Sequence, residues 1–255
     1  MTSPAMTESG LGSLYHRVYE AVCGKHPNVQ PWHFQWLDAR PLYARLHSLL
    51  PDIGSGKADR RVLDVGCGTK PYRKWFGPVA EYTGLDVSAG PAVDVVVTSY
   101  ETWPLPSKHF DVVLCTQVLE HVEDLNHVCS EIRRVLRPGG SLIVSFPFLY
   151  NEHGKPWDFR RFTKYGARQL FPRMQVVSLE CQGGIGSTLA IMLLNWWENT
   201  LNLNFPLRLA KAFLLPINII FTAILNFIGV ILDKLDRTEG FYNNVFMIAK
   251  KNADE

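Results

Sequence analysis

Short apolar runs rich in β-branched residues alternate with helical stretches through the middle of the chain. The five runs are residues 61–65, 81–86, 93–97, 110–115 and 141–146. Runs of this length are typical of strands buried on both faces, and their alternation with helices predicts an α/β fold built on a mostly parallel sheet. Two later runs predict further strands, at 176–180 and 244–249. Residues 124–136 predict a helix that Pro138 and Gly139 stop.

The segment before the first of these strands has a different character. Residues 1–12 are polar and small, and we expect them to be disordered. Leu14 to Cys23 and His33 to Leu50 are rich in aromatic residues and predict two helices. Residues 51–59 contain two glycines around a serine and predict a linker. We therefore expect residues 13–59 to form a helical cap followed by a linker.

A strongly apolar insertion, residues 184–238, separates the last two predicted strands. Its stretch from Ala212 to Leu232 carries no charge and is long enough to cross a bilayer. Trp196 and Trp197 suit a membrane interface. A single span is excluded, because the strand at 244–249 must return to the sheet. A re-entrant hairpin or helices lying in the interface remain open, and so do a buried dimer interface and a lid.

The overall composition is that of one globular domain with an addition. The chain has 255 residues, of which 47% are hydrophobic and 20% charged. Its net charge of +2 is too small to indicate a nucleic-acid partner. The five cysteines have neither metal-ligand nor disulfide spacing, so we expect reduced thiols in the cytosol and no metal site. No basic region followed by an apolar stretch begins the chain, so we expect no signal peptide.

A turn containing two glycines, Gly66 and Gly68, follows the strand at 61–65, and the next strand ends in Asp86. Glycines let the backbone pass close to a ligand, and an acid at that position can accept hydrogen bonds from a ribose diol. The pair therefore predicts a nucleotide site. Pro71 occupies the place of the third glycine of a dinucleotide fingerprint, which argues against NAD or FAD. Asp64, inside the strand, favours a positively charged ligand.

Five motifs occur in order between about residues 60 and 182. They are VLDVGCG at 62–68, GLDVS at 84–88, WPLPSKHFDVV at 103–113, VLEHVED at 118–124 and EIRRVLRPGG at 131–140. In order and spacing the chain resembles the class I S-adenosylmethionine-dependent methyltransferases. The resemblance implies S-adenosylmethionine as cofactor. It also implies a Rossmann-like seven-stranded sheet whose last strand is antiparallel, with residues 60–183 and 239–251 forming the methyltransferase domain.

The resemblance implies roles for residues on the first two strands. Asp64, Gly66 and Gly68 are expected to hold the methionine end of the cofactor. Asp86 is expected to bind the ribose hydroxyls, and Val87 to border the adenine.

Later positions complete the implied cofactor site. Thr116 and Gln117, just after the fourth strand, are expected on the methionine side. One position departs from the family pattern, because Ser99 stands where many relatives have an aspartate that contacts the adenine amino group. We expect this serine, or the backbone of Tyr100, to take over that contact.

Two histidines are candidates for the base that removes the acceptor's proton. His121 lies in the VLEHVED motif, and His153 follows the fifth strand. Open α/β sheets bind ligands at the carboxyl ends of their strands, and histidine titrates in the useful range. Each residue also has a structural alternative: a hydrogen bond at a helix start for His121, and an exposed loop position for His153.

The segment 155–163 is dense in polar residues. It resembles a segment found after the fifth strand in methyltransferases from polysaccharide and lipopolysaccharide gene clusters. Arg160 and Arg161 are expected to grip a phosphate or carboxylate of the substrate. Asp158 is expected to pair with one of them or to assist the neighbouring histidine. The alternative is an Asp–Arg network that only pins the loop.

These features predict an O-methyltransferase that acts on a lipid-linked glycan or another amphiphile. We expect it to be cytoplasmic, attached peripherally or monotopically to the inner face of the cell membrane. One alternative is a soluble small-molecule methyltransferase whose insertion serves as a lid or as the contact of a homodimer. The other is a non-catalytic S-adenosylmethionine-binding subunit of a membrane complex.

Overall fold

The computed structural model of the protein describes residues 10–54, 59–98 and 100–254. Its helices are α1 (Gly10–Cys23), α2 (Trp36–Gly54), α3 (Leu125–Val135), α4 (Lys164–Gln169), α5 (Ile185–Leu201), α6 (Phe205–Phe213) and α7 (Leu215–Leu235). Its strands are β1 (Gly24–Lys25), β2 (Asn28–Val29), β3 (Arg61–Val65), β4 (Glu81–Asp86), β5 (Val95–Val96), β6 (Phe110–Thr116), β7 (Leu136–Pro147), β8 (Met174–Gln182) and β9 (Asn244–Lys251).

Seven of these strands form one sheet in the order β5-β4-β3-β6-β7-β9-β8. The pairs from β5 through β7 are parallel, whereas β9 is antiparallel to both β7 and β8. The Rossmann-like fold predicted from the sequence, including its antiparallel last strand, is confirmed. β1 and β2 form a separate small hairpin.

Some element boundaries differ from the predictions. α1 begins at Gly10 and α2 continues to Gly54, so both helices extend into segments expected to be disordered or linker. β7 begins at Leu136, which pairs with Phe110, and the register then shifts before Ser141 pairs with Val112. Residues 55–58 and most of the segment expected to be disordered lie outside the described residues.

The alternation of side chains along the strands builds one core on each face of the sheet. In β3 and β6, Val62 and Val112 pack on the face covered by α2. Their neighbours Leu63 and Val113 pack on the opposite face, with α3. This period of two is what a strand buried on both faces requires, and it explains why these runs are continuously apolar.

Helices α5 and α7 of the insertion pack against each other and against α2. Their close approach depends on Gly186, because a Cβ there would lie 2.2 Å from the carbonyl oxygen of Gly229. Asp233 near the end of α7 accepts a 2.8 Å hydrogen bond from the backbone N–H of Ser187, in the first turn of α5. Asn226 donates to the backbone carbonyls of Pro31 and His33 at 2.7 and 3.0 Å. The polar side of α7 therefore faces the protein.

The outer side of α7 is apolar and exposed. The helix has 21 residues, a mean hydropathy of 2.2 over its most apolar 18-residue window, and only 17% of that window buried. By length and composition it could cross a membrane. Ile217, Ile220, Ile224 and Phe227 are each more than half exposed. The insertion thus combines a packed inner side with an apolar surface.

Candidate active site

A cleft opens at the carboxyl ends of β3, β4 and β6, where β3 has β4 on one side and β6 on the other. Such a point, at which the strand order changes direction, is where open α/β sheets bind ligands. The cleft contains about 630 Å³ of space free of protein atoms, its open mouth included. Among the residues predicted from the sequence, its wall includes Gly66, Asp86, Val87, Gln117 and His121. Its size and position suit a nucleotide-sized ligand.

The turn after β3 follows the cleft wall closely. Gly66 has a φ of +67°, and a Cβ there would lie 2.4 Å from the Val118 side chain. The backbone N–H groups of Gly66 and Cys67 both donate to the carbonyl of Leu85, at 2.8 and 3.1 Å. Only glycine fits this conformation and this space, so the turn keeps bare backbone at the edge of the cleft.

Asp86 at the end of β4 is 8% exposed and held in place on both sides. Its carboxylate accepts a 3.0 Å hydrogen bond from the backbone N–H of Gly68 and a 3.1 Å bond from that of Ser88. Each carboxylate oxygen can accept further bonds. Asp86 therefore presents a fixed acceptor pair to a diol in the cleft.

Trp103 lines the cleft wall. It opens the motif at 103–113, but it was not predicted to belong to the site. It is 3% exposed, and its indole N–H has no hydrogen-bond partner among the described residues. A buried donor without a partner is costly, so it suits a ligand that supplies an acceptor. Thr98 and Val118 also line the cleft and were likewise not predicted. The neighbouring Ser99, expected near the adenine, lies outside the described residues.

Gln117 adopts a left-handed backbone conformation, with a φ of +54°. Its side-chain amide donates to Ser145 Oγ at 3.1 Å and to Asn244 Oδ1 at 3.2 Å. A non-glycine residue is strained in this conformation, and such strain clusters at functional sites. Hydrogen bonds to β7 and β9 thus fix Gln117 in the cleft wall. Its position after a strand predicts a place in the site, whereas these two bonds become visible only in the folded structure.

Asp64, Thr116 and Tyr100 are not part of this wall, although all three were predicted to contact the cofactor. Asp64 alternates with Val65, so it lies on the face covered by α2, where it accepts a 2.7 Å hydrogen bond from the Tyr82 hydroxyl. Burial raises the pKa of Asp64 to about 7, and the Tyr82 hydrogen bond opposes that rise. Tyr100 is 60% exposed, and its hydroxyl interacts with Glu123.

The two candidate histidines lie side by side. His121 lies in the 3₁₀ turn after β6 and His153 in the loop after β7, with ring centroids 4.8 Å apart and ring planes at 82°. His121 Nδ1 is 2.5 Å from the carbonyl oxygen of Trp157, and His153 Nδ1 is 3.3 Å from that of Asn151. A carbonyl only accepts, so the contact of His121 places the proton on Nδ1 and leaves a lone pair on Nε2. His153 Nδ1 also has a nitrogen of the Arg161 guanidinium at 3.5 Å, and its shorter contact with the Asn151 carbonyl favours the same tautomer. Burial, and then His121, lower the pKa of His153.

Glu120 lies beneath this pair and was not singled out from the sequence. Its side chain is fully buried, and neither carboxylate oxygen has a hydrogen-bond partner in the part of the chain that is described. His121 Nε2 lies 3.7 Å from its Oε1 atom. Burial raises the pKa of Glu120 to about 8, although Arg161 opposes the rise.

The prediction that Arg160 and Arg161 grip the acceptor is not supported by their contacts. Arg160 donates to the backbone carbonyls of Val122 and Glu123. Arg161 donates to the carboxylate of Asp158 at 2.7 Å and to the Asn151 carbonyl at 2.8 Å. Asp158 in turn accepts a 2.8 Å bond from the backbone N–H of His153. Both guanidinium groups therefore hold the loop that carries His153. This agrees with the alternative for the segment 155–163, in which its charged residues pin the loop.

Comparison with known proteins agrees with this fold and cleft. The family described as "Methyltransferase domain" matches residues 63–144, which run from β3 into β7. The chain is 29% identical over 160 residues to the ubiquinone biosynthesis O-methyltransferase of Pseudomonas aeruginosa strain LESB58, covering 54% of this chain and 68% of the relative.

Two solved structures share the fold. One is a SAM-dependent methyltransferase from Archaeoglobus fulgidus, with a TM-score of 0.53 and 17% identity over 93% of this chain and 99% of that one. The other is a putative sarcosine dimethylglycine methyltransferase from Galdieria sulphuraria, with a TM-score of 0.55 and 13% identity over 94% of this chain and 99% of that one.

The sheet, the cleft at its switch point and the matching domain define a Rossmann-like methyltransferase. The family match and the curated relatives support a class I S-adenosylmethionine-dependent methyltransferase. Its cofactor is S-adenosylmethionine, and its second substrate is a methyl acceptor. The glycine at position 66, the carboxylate of Asp86 and the unpartnered indole N–H of Trp103 all fit such a cofactor.

Proposed function

We propose that this protein methylates a hydroxyl group of an amphiphilic acceptor at the cytoplasmic face of a membrane. The acceptor class that we favour is a lipid-linked glycan, on the resemblance of segment 155–163 to methyltransferases of polysaccharide gene clusters. The naming of the Pseudomonas aeruginosa relative as an O-methyltransferase supports oxygen as the nucleophile. An amphiphile agrees with a catalytic domain that carries a large apolar surface.

In this proposal the cleft holds the cofactor. Asp86 accepts hydrogen bonds from the ribose hydroxyls, and Val87 lies against the adenine. The indole N–H of Trp103 donates to an acceptor atom in the adenosine part of the cofactor. The backbone of the turn at Gly66 and the wall at Gln117 border the methionine end. Asp64 lies behind this turn, where it accepts the Tyr82 hydrogen bond, and in this proposal it does not contact the cofactor.

The bound cofactor supplies a methyl group activated by a positive sulfur, so the protein mainly contributes positioning and the removal of a proton. The acceptor oxygen must lose its proton as it takes the methyl group. His121 lies in the cleft wall with a free Nε2, and His153 packs against its ring. We assign this pair to promoting the loss of that proton. Arg160, Arg161 and Asp158 hold the pair in place.

The observation that carries the membrane part is the outer surface of α7, which is long enough to span a bilayer and only 17% buried. Trp196 on α5 and Phe213 at the end of α6 extend this surface and are 60% and 77% exposed. Arg208, Lys234 and Arg237 are exposed along the insertion, as suits contact with anionic lipid headgroups. Lys211, on α6, is not part of this exposed set, because it is buried and paired with Glu198.

A flotation experiment with lipid vesicles tests this proposal. We expect the full-length protein to float with vesicles that contain phosphatidylglycerol, and the double variant Ile220→Asp/Phe227→Asp to stay at the bottom of the gradient. Tyr165→Asp is the matched control, because Tyr165 is 70% exposed on α4, outside the insertion. All three proteins should bind S-adenosylmethionine equally well.

A wild-type protein that does not float contradicts the membrane part. If light scattering then shows a dimer that Ile220→Asp/Phe227→Asp converts to monomers, the apolar surface is a dimer contact. If light scattering shows a monomer, the insertion is left with the role of a lid over the substrate.

A further inference from the structure

Glu120, His121 and His153 bring three metal-binding side chains together. One ligand atom from each can be chosen so that all three lie within 4.8 Å of one another. Ligands of a single metal ion lie about 2.0–2.2 Å from it, so neighbouring ligand atoms stand roughly 3–4 Å apart. The His121 Nε2 to Glu120 Oε1 distance of 3.7 Å falls in this range.

The hydrogen bonds of the two imidazole rings leave the correct atoms free. A metal-bound histidine usually donates its other ring N–H to a carbonyl or carboxylate, which fixes the ring. His121 and His153 both have Nδ1 at a backbone carbonyl, that of Trp157 and that of Asn151. The backbone N–H of His153 is also held by Asp158. Both Nε2 lone pairs are therefore available, on rings that are already oriented.

The Glu120 carboxylate gives a second indication of a bound cation, independent of the two histidines. Its carboxylate is fully buried, and both oxygens lack a hydrogen-bond partner among the described residues. Leaving a buried carboxylate unpaired is expensive, and buried charges in proteins are paired or coordinate metals. Arg161, the nearby cation, is engaged by Asp158 at 2.7 Å. A cation at this point would satisfy a group that the described residues leave unsatisfied.

We propose that Glu120, His121 and His153 bind one divalent transition-metal ion through a carboxylate oxygen and two Nε2 atoms. Two imidazoles and one carboxylate are the donor set of zinc and iron(II) sites that keep open coordination positions. The sequence predicted no metal site, because these ligands are spread over residues 120–153 without a recognisable spacing and meet only when the loop after β7 folds back onto the turn after β6.

The position of the site links it to methyl transfer, and this link alone rests on the proposed function. His121 is part of the cleft wall, and the His153 side chain is 35% exposed, so an ion is accessible from the acceptor's side. A hydroxyl bound to a divalent ion loses its proton at a lower pH than a free one. The pair of histidines would then promote proton loss by holding the ion.

Titration of the chelator-treated full-length protein with Co²⁺ tests the site, with binding followed by equilibrium dialysis and by visible absorption. We expect the wild type to bind one equivalent in this site. Glu120→Gln and His153→Ala should each weaken binding at least about 10-fold, because removing a direct ligand costs no less than removing its outer partner. Glu152→Gln is the matched control, since this carboxylate is exposed, adjacent to His153 and paired with Lys155; it should bind as the wild type does.

Wild-type protein without a bound equivalent, or unchanged binding in His153→Ala, overturns the proposal. Thermal unfolding shows whether each variant is folded. If Glu120→Gln does not fold, His153→Ala still tests the site, because His153 is partly exposed and its replacement should not unfold the protein. Cofactor affinity and methyl transfer are measured separately. Co²⁺ binding without methyl transfer keeps the metal site and rejects the proposed function, and methyl transfer without Co²⁺ binding does the reverse.

Discussion

The side-chain amide of Asn195 donates a 2.6 Å hydrogen bond to the side-chain oxygen of Asn151. Asn195 belongs to α5 of the insertion and is 5% exposed, whereas Asn151 belongs to the loop that carries His153. The backbone carbonyl of Asn151 also faces His153 Nδ1 and accepts a bond from Arg161. A single residue thus connects the apolar insertion to the histidine pair.

The first prediction concerns this connection. We expect Asn195→Ala to slow methyl transfer, by up to about 100-fold, because a small displacement of a positioned group can cost that much. The affinity for S-adenosylmethionine should not change, since Asn195 does not line the cleft. Asn199→Ala, one helical turn further along α5 and exposed, is the control. Equal losses in both variants, measured as turnover at saturating cofactor, would show that the contact is not specific.

The second prediction concerns cofactor binding. Asp86→Ala should weaken the binding of S-adenosylmethionine by about 1–3 kcal/mol, because it removes a fixed acceptor from the cleft. Asp86→Asn keeps the shape and one acceptor oxygen, so it should lie between the alanine variant and the wild type. Calorimetric titration measures both values. Unchanged affinity in Asp86→Ala would remove Asp86 from the cofactor site.

The third prediction concerns the histidine pair. His153→Ala should lower turnover by about 10²–10⁴-fold with cofactor affinity intact, because the loss of the acceptor's proton would no longer be assisted. His121→Ala should cost at least as much, since His121 lies in the cleft wall. His127→Ala, on α3, is the control. If His153→Ala turns over like the wild type while His121→Ala does not, the role belongs to His121 alone.

The fourth prediction uses Asp64, whose pKa burial raises to about 7 in the folded protein. The unfolded chain titrates this group near 3.9, so between about pH 4 and pH 7 the folded state holds the extra proton. Stability therefore falls as pH rises through this window. Each unit of difference between the folded and unfolded pKa changes the free energy of unfolding by about 1.4 kcal/mol once the whole pH window has been crossed. Asp64→Asn should remove this part of the slope.

Urea unfolding without cofactor at several pH values between 4 and 8 measures that slope. The Asp64→Asn protein should lose less stability than the wild type as pH rises, because its amide does not ionise but can still accept the Tyr82 hydrogen bond. Parallel curves for the two proteins would contradict the raised pKa.

The sheet could be predicted from the sequence because its strands are buried on both faces. β3 and β4 occur at the predicted residues, since Val62 and Leu63 face opposite cores and β3 is buried at every position after Arg61. β5 is shorter than expected because it is an edge strand that pairs only through Val95 and Val96. Thr163, a residue type typical of helix N-caps, caps α4 by accepting a 3.1 Å bond from Gly166 N–H.

The site was less predictable because its contacts join residues far apart in the chain. Gly66 and Asp86 carry a recognisable pattern, whereas the unpartnered Trp103 donor becomes visible only once its surroundings are folded. The same holds for Glu120, which in sequence looks like any acid beside a histidine. Arg161 was expected to meet the substrate, but the fold places Asp158 and the Asn151 carbonyl within its reach first.

The place of β9 in the sheet has a consequence for how the chain is made. β9 lies between β7 and β8 and follows the apolar helices in sequence, so β8 cannot join the sheet until β9 has been synthesised. A nascent chain leaving the ribosome therefore presents α5, α6 and α7 while the catalytic domain is still open. An apolar surface shown at that stage invites aggregation unless something covers it early. Contact with a membrane or a chaperone during synthesis would decide the yield of folded protein before any substrate is met.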